Sequence, residues 1–206
     1  MRRTLLLLAM ALPTLVAATL TDQDRAFGVK QLENSRKLFL ESIKGLTEEQ
    51  WKFKPAPDRW SIAECAEHIT LSEEALMQFV TEILLKNAVV PRMGAIDRQD
   101  DLDVIRSTKD RSNKATAPER LRPTGKWPNR TLLTDEFRKR RERTIEYIRT
   151  TQNDLRAHVE ESGPGRIRDG FQYIMLISAH SERHTAQIQE IKQSSQFPPS
   201  SHKKSR

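Results

Sequence analysis

Several residue types are scarce in this chain of 206 residues, and each shortage excludes a class of protein. The single cysteine, Cys65, rules out an internal disulfide and a cysteine-based zinc cluster. The 7 glycines and the aromatic content of 6% argue against β-sandwiches and propellers, which need many glycine-rich turns. No glycine-rich phosphate loop occurs, which excludes most nucleotide-dependent enzymes. With 36% hydrophobic and 31% charged residues, the composition fits one domain with a compact core and a polar stretch that contributes little to that core.

The positive charge is concentrated in one region of the chain. The net charge is +7 with a pI near 9.7, and residues 106–143 contain 13 Lys or Arg against 5 Asp or Glu. These charges fall in a predicted loop and along one helix, with almost no aromatic residues between them to stack on bases. We therefore expect no nucleic-acid partner and interpret Arg138–Arg143 as a solvated helix face. A basic surface that binds lipid or nucleic acid is kept as an alternative.

Residues 1–18 have the features of a secretory signal peptide. Arg2 and Arg3 precede an apolar run, and Ala17 and Ala18 provide a small-residue cleavage site. The run is too short to span a bilayer well, so we expect no stable membrane insertion after cleavage. The mature protein is then secreted or periplasmic. An uncleaved anchor is the alternative, and the choice between general secretion and twin-arginine export stays open.

Four segments of the mature chain have the apolar periodicity of amphipathic helices. They cover about residues 22–46, 62–90, 131–158 and 170–193, and no strand alternation or internal repeat occurs. Residues 87–129 lack periodicity and contain four prolines, which predicts a long loop between helices 2 and 3. The predicted fold is all-α, a four-helix bundle over residues 19–195 followed by a disordered basic tail at 196–206.

Two helix starts carry clear capping signals. Ser61 and Glu64 form the pattern of a capping box, and Asp169 is a suitable N-cap for the fourth helix. These signals give Glu64 a structural role, and we interpret Glu67 as a solvated helix residue rather than a catalytic base. Cys65 fits better as a small buried hydrophobic residue than as a metal ligand.

Three of the five histidines occupy positions that are unusual for histidine. His180 and His184 are four residues apart and interrupt the apolar stripe of the fourth helix, so both side chains face the core. His68 lies beside the stripe of the second helix. Three buried imidazoles without partners would be destabilising, and a shared metal ion would remove that cost. Hydrogen-bonded core histidines are the alternative interpretation. The pattern is not that of a zincin, because Ser181 stands where that motif has glutamate.

The sequence resembles the DinB-like superfamily in two paired motifs. They are WSIAECAEHI at residues 60–69 and HSERHTAQI at residues 180–188, and PTGKWP at residues 123–128 is also similar to family members. The resemblance implies an up-down-down-up four-helix bundle that holds a divalent ion, Zn, Ni or Fe, with three histidines. Transferred to this chain, the metal ligands are His68, His180 and His184.

Two kinds of enzyme chemistry would suit such a site. The resemblance implies the first, because characterised members include S-transferases and isomerases that use a low-molecular-weight thiol such as bacillithiol or mycothiol. Metal-dependent hydrolysis with a bound water is the second enzymatic option. Because such thiols are mainly cytoplasmic, export conflicts with the first activity. The alternative is a non-catalytic bundle in the cell envelope that binds a metal or a small molecule. We expect a small-molecule ligand as partner, and apolar edges on such bundles also allow a homodimer.

Overall fold

The computed structural model describes residues 19–89, 97–112, 116–163 and 166–200. In chain order, the elements are α1 (Asp22–Ser42), α2 (Glu48–Lys52), α3 (Ile62–Gln78), α4 (Arg98–Lys109), α5 (Arg130–Thr150), β1 (Val159–Glu161), β2 (Ile167–Asp169) and α6 (Gly170–Lys192). α3 continues as a π-helical turn (Phe79–Ile83) and a 3₁₀ turn (Leu84–Lys86), and a further 3₁₀ turn (Glu119–Leu121) precedes α5. The predicted signal peptide at residues 1–18 lies outside the described residues, so it stays a prediction.

The four long helices α1, α3, α5 and α6 form a bundle in which α1 and α3 each pack against both α5 and α6. Lys192 Nζ donates to Ser42 O at 2.7 Å, which joins the C-terminal ends of α6 and α1, so these two helices are parallel. Arg25 Nη1 donates to Ile148 O at 2.7 Å and joins the start of α1 to the end of α5, so these two are antiparallel.

The direction of α3 follows from its contacts with α5. Arg140 donates to Thr70 O at 3.0 Å, and one turn later Thr144 donates to Glu73 at 2.9 Å, so the two helices run in parallel. Together these contacts give the order up-down-down-up. The all-α bundle predicted from the sequence is therefore confirmed.

The predicted loop between helices 2 and 3 contains an additional helix, which corrects the sequence-based expectation. α4 begins after Asp97, whose carboxylate accepts from Gln99 N at 2.8 Å, and packs along α6. Periodicity did not reveal α4 because only two of its side chains, Asp101 and Ile105, are buried. One of these is a carboxylate, which an apolar stripe does not include.

Buried ion pairs hold α4 on the bundle. Arg156 donates to both oxygens of Asp101 at 2.8 Å, to Asp24 at 2.8 Å and to Asp169 at 3.0 Å. Arg98 bridges Asp24 and Asp101 at 2.7 Å each. Since Asp24 and Asp169 also cap the starts of α1 and α6, this cluster joins three helix ends at one end of the bundle.

The third predicted helix is shorter than expected, and a short two-stranded hairpin that the sequence pattern did not reveal follows it. α5 ends at Thr150, where Arg25 donates to the terminal carbonyls of Ile148, Arg149 and Thr151. β1 and β2 then pair as an antiparallel hairpin with Glu160 opposite Arg168. Strands of three residues are too short to show an alternating pattern.

The core consists of two hydrophobic clusters along the bundle. One includes Leu32, Ile145, Phe171 and Ile177, and the other includes Phe39, Phe137, Ile69 and Ile188. Between them lies a buried ion pair in which Arg141 donates to Glu73 at 2.9 and 2.7 Å. Arg141 is fully buried, which corrects its interpretation as part of a solvated face. Its position explains the burial, because it stands four residues after Phe137 on the inward side of α5.

The C-terminal segment remains on the bundle as far as the structure describes it. Phe197 packs edge-on against Phe53 with ring centroids 5.5 Å apart, and Gln50 Nε2 donates to Pro198 O at 2.8 Å. Phe197 and Pro198, which the sequence analysis placed in a disordered tail, therefore contact the bundle, and residues 201–206 lie outside the described part. No helix in the described part is long and apolar enough to cross a membrane.

Candidate metal centre

The structure brings the three predicted metal ligands together in one group. His68 comes from α3, and His180 and His184 come from consecutive turns of α6. One ring nitrogen of each lies within 4.8 Å of those of the other two, and His68 Nε2 is 3.2 Å from His180 Nε2. The group contains no Asp, Glu or Cys among the described residues. Three imidazoles at these distances can hold one metal ion.

Hydrogen bonds at the Nδ1 atoms orient two of the histidines. His68 Nδ1 lies 2.8 Å from Leu121 O, and His184 Nδ1 lies 3.0 Å from Gln187 Oε1. Because both oxygens accept, each Nδ1 carries the proton and each Nε2 of the neutral ring presents a lone pair. A carbonyl or carboxamide behind the imidazole is the usual support of a metal-binding histidine.

Burial keeps the three imidazoles neutral. Desolvation lowers the pKa of His68, and burial together with the charges of His184 and His68 holds the pKa of His180 well below its ordinary value. Burial and the charge of His68 lower the pKa of His184 to about 3. The side chains of Arg111 and Arg183 lower the pKa of His184 further. Neutral imidazole is the form that binds a metal.

Trp60 forms one wall of the group. Its ring centroid lies 4.8 Å from that of His68 and 6.0 Å from that of His184. Cys65, one turn before His68, is fully buried, and burial raises the pKa of its thiol, so it has neither the exposure nor the charge of a reactive cysteine. The prediction that Cys65 is a buried hydrophobic residue is confirmed.

Comparison with known proteins identifies the family. The sequence profile of the DinB superfamily matches residues 31–188, which is most of the chain. The chain belongs to the DinB superfamily. It is 26% identical over 151 residues to the uncharacterized protein YuaE of Bacillus subtilis strain 168, an alignment that covers 73% of this chain and 88% of YuaE. No solved structure matches the chain. The DinB match contains all three histidines of the group.

Glu67 has a role in this DinB site that the sequence analysis did not predict. Expected to be solvated, it is instead buried, and its carboxylate accepts the backbone N–H groups of Thr124, Gly125 and Lys126 at 2.9, 3.0 and 3.1 Å. Gly125 has a φ of 76°, a conformation that favours glycine and turns the three N–H groups toward one acceptor. Glu67 thereby fixes the loop that follows Leu121, whose carbonyl supports His68.

Three further residues near the histidines differ in how far the sequence predicted their roles. Glu64 completes the capping box at Ser61 and also pairs with Lys54 at 2.8 Å, so its predicted structural role is confirmed. Gln187 was not predicted to belong to the site, although its position three residues after His184 places it on the same face of α6. Leu121 contributes only its carbonyl, so no side-chain pattern could reveal it.

Proposed function

We propose that the protein binds one divalent metal ion through His68, His180 and His184. The observation that carries the proposal is the convergence of the three ring nitrogens, with His68 and His184 held from behind by hydrogen bonds. Without a cation, buried acceptor nitrogens would face one another without enough donors, which is destabilising. The donor set suits Zn, Ni or Fe, all of which imidazole binds well.

We further propose that the metal centre is catalytic. Three protein nitrogens leave coordination positions for another ligand, which is typical of catalytic rather than structural sites. When bound, the ion supplies a Lewis acid that lowers the pKa of a coordinated thiol or water. Glu64 and Glu67, the carboxylates nearest in sequence to His68, are already bonded elsewhere. Within the described ranges no carboxylate joins the histidine group, which supports thiol-dependent S-transfer over hydrolysis, because a thiol needs less help from a general base than water does.

A non-catalytic bundle that binds a metal or a small molecule is the second candidate. The same observation favours it, because no acidic side chain joins the histidine group among the described residues. Thiol binding separates the two candidates. The cobalt-loaded protein, titrated with cysteine, should develop a sulfur-to-cobalt absorption band if it serves S-transfer. A cobalt spectrum that cysteine leaves unchanged would support the non-catalytic candidate.

Elemental analysis tests the metal site itself. The full chain, purified without a histidine tag, should contain about one divalent ion per molecule, and the His180→Ala/His184→Ala variant should contain none. His158→Ala is the matched control, because His158 lies outside the group, with its Nδ1 3.1 Å from Asn87 O, and its loss should leave the metal content unchanged. A folded wild-type protein that takes up no zinc, nickel or iron would refute the proposal.

We also propose that the protein is exported, with a signal peptide at residues 1–18. The apolar run after Arg2 and Arg3 and the small residues at Ala17 and Ala18 support this. Intact-mass measurement of the protein from the periplasm or the medium should show a chain that begins at Thr19. A full-length chain in the membrane fraction would instead indicate an uncleaved anchor, and a full-length chain in the cytoplasm would refute export.

A further inference from the structure

A cavity of about 340 Å³ adjoins the candidate metal centre. It lies between the segment before α3 and the last turns of α6, and its lining residues are Pro55, Arg59, Trp60, Gln187, Glu190 and Ile191. Its volume is near the lower end of the range of small-molecule pockets, about 300–1,000 Å³. Two lining residues also belong to the metal centre, since Trp60 packs against His68 and His184 and Gln187 accepts from His184.

The cavity contains one acidic and one basic side chain, and only the acidic one is paired. Glu190 accepts from Arg111 at 2.8 and 2.7 Å in a bidentate pair, so its charge is compensated. The guanidinium of Arg59 makes no hydrogen bond or ion pair with any side chain or carbonyl of the described residues, although Arg59 is half-buried. The cavity therefore presents an uncompensated positive charge to whatever enters it.

The remaining walls suit an apolar group. Pro55, the ring of Trp60 and the side chain of Ile191 are apolar, and Ile191 is almost fully buried. The carboxamide of Gln187 is engaged by His184 through Oε1, and its Nε2 donor has no acceptor among the described residues. A guanidinium binds a carboxylate with two parallel hydrogen bonds, which makes arginine the natural partner of an organic acid.

We propose that this cavity binds a small organic acid, with its carboxylate on Arg59 and its apolar body against Trp60, Pro55 and Ile191. As a description of the substrate or thiol cofactor, this inference rests on the proposed function, because only a metal centre gives the bound acid a reaction. The binding itself requires only the cavity.

A second cavity of about 370 Å³ on another side of α6 does not have these properties. Its lysine, Lys109, is already paired with Glu182, and none of its lining residues contacts an imidazole of the group through a ring contact or a hydrogen bond that the structure shows. The first cavity therefore differs from the second in two ways, its contact with the histidine group and the unpaired charge of Arg59, and the second of these can be removed by one substitution. The test therefore changes this residue alone.

Phenylacetate and phenylacetamide are the probes, since they have the same shape and differ in charge. Each is titrated by calorimetry into the zinc-loaded and the metal-free full chain. Phenylacetate should bind at least about tenfold more tightly than phenylacetamide, and Arg59→Gln should lose at least about tenfold of its affinity for the acid, as expected for one charge-assisted contact. Arg138→Gln is the matched control, because this exposed arginine pairs with Asp135 on the surface of α5, away from the cavity, and its loss should change nothing.

Nuclear magnetic resonance locates the bound probe. The indole N–H signal of Trp60 and the carboxamide signals of Gln187 should shift on addition of phenylacetate and should not shift in Arg59→Gln. Equal binding of acid and amide, wild-type affinity in Arg59→Gln, or no binding of the acid at all would each overturn the inference. Metal content is measured separately. A metal-loaded protein that does not bind the acid refutes only this inference, and a protein that takes up no metal yet binds the acid through Arg59 refutes only the proposed function.

Discussion

Replacement of Glu67 by glutamine tests how the histidine group is supported. The carboxylate accepts three consecutive backbone N–H groups, two of them on Oε1 and one on Oε2. In Glu67→Gln, the remaining oxygen can still accept from Thr124 N and Lys126 N. The new NH₂ group, however, faces the N–H of Gly125, and two donors cannot form a hydrogen bond with each other. The loop that carries Leu121 then loses its main fixed contact with α3.

The size of the effect follows from these contacts. A hydrogen bond to a charged group contributes about 1.5–3 kcal/mol, and Glu67→Gln loses one such bond and weakens two others. We expect the free energy of unfolding to fall by about 2–3 kcal/mol. Displacement of Leu121 O also removes the support behind His68, and loss of such a support typically lowers metal affinity about 10–100-fold.

Urea denaturation of the metal-free protein measures the first effect, and zinc competition against a chelator measures the second. Glu74→Gln is the control on the same helix, because the partly exposed Glu74 pairs with Arg143 at 2.9 Å and Arg140 at 3.4 Å, and each such pair contributes about 0–1 kcal/mol. A Glu67→Gln protein that is destabilised but keeps wild-type zinc affinity would show that the loop does not support His68. Unchanged stability would refute the whole argument.

Three further predictions concern stability. The folded state holds the pKa of His184 near 3, so between about pH 6.5 and 3 the metal-free folded protein binds fewer protons than the unfolded chain. Its free energy of unfolding should therefore fall as the pH decreases, and this fall should be less steep in His184→Gln. Arg141→Met leaves Glu73 buried and uncompensated and should cost about 3–5 kcal/mol in urea denaturation, most of which Arg141→Met/Glu73→Met should restore. Asp101→Asn should weaken the bonds to Arg156 and increase hydrogen exchange in α4 more than in α6.

The four bundle helices could be predicted from the sequence because their signals are local. Apolar periodicity of 3.6 residues marked each inward face, and the caps at Ser61 and Asp169 marked two starts within one residue. The grouping of the histidines was also predictable in part, since His180 and His184 interrupt an apolar stripe. Placement of His68 opposite them depends on the topology, which the family resemblance supplied.

The buried charges could not be predicted in the same way, because a charged residue is expected to lie on the surface unless its partner is known. Arg141 and Glu73 both occupy inward positions, Arg141 between Phe137 and Ile145 and Glu73 four residues after Ile69. A charged residue within an apolar stripe can be recognised in the sequence, but only the structure shows the residue on the partner helix that compensates its charge. α4 illustrates the same limit, because Asp101 is buried against Arg156, which lies 55 residues away.

The distribution of the core predicts that the metal is not required for folding. The two hydrophobic clusters and the Arg141–Glu73 pair join all four helices, and none of these contacts passes through His68, His180 or His184. A chelated sample should therefore keep its helical circular dichroism, unlike a zinc finger, which unfolds without metal. Zinc should raise the free energy of unfolding only because it binds the folded state, which contributes about 2.7 kcal/mol when the free zinc concentration is about 100 times the dissociation constant. Loss of helical signal on chelation would mean that the imidazoles hold α3 and α6 together, contrary to the separation of core and site inferred here.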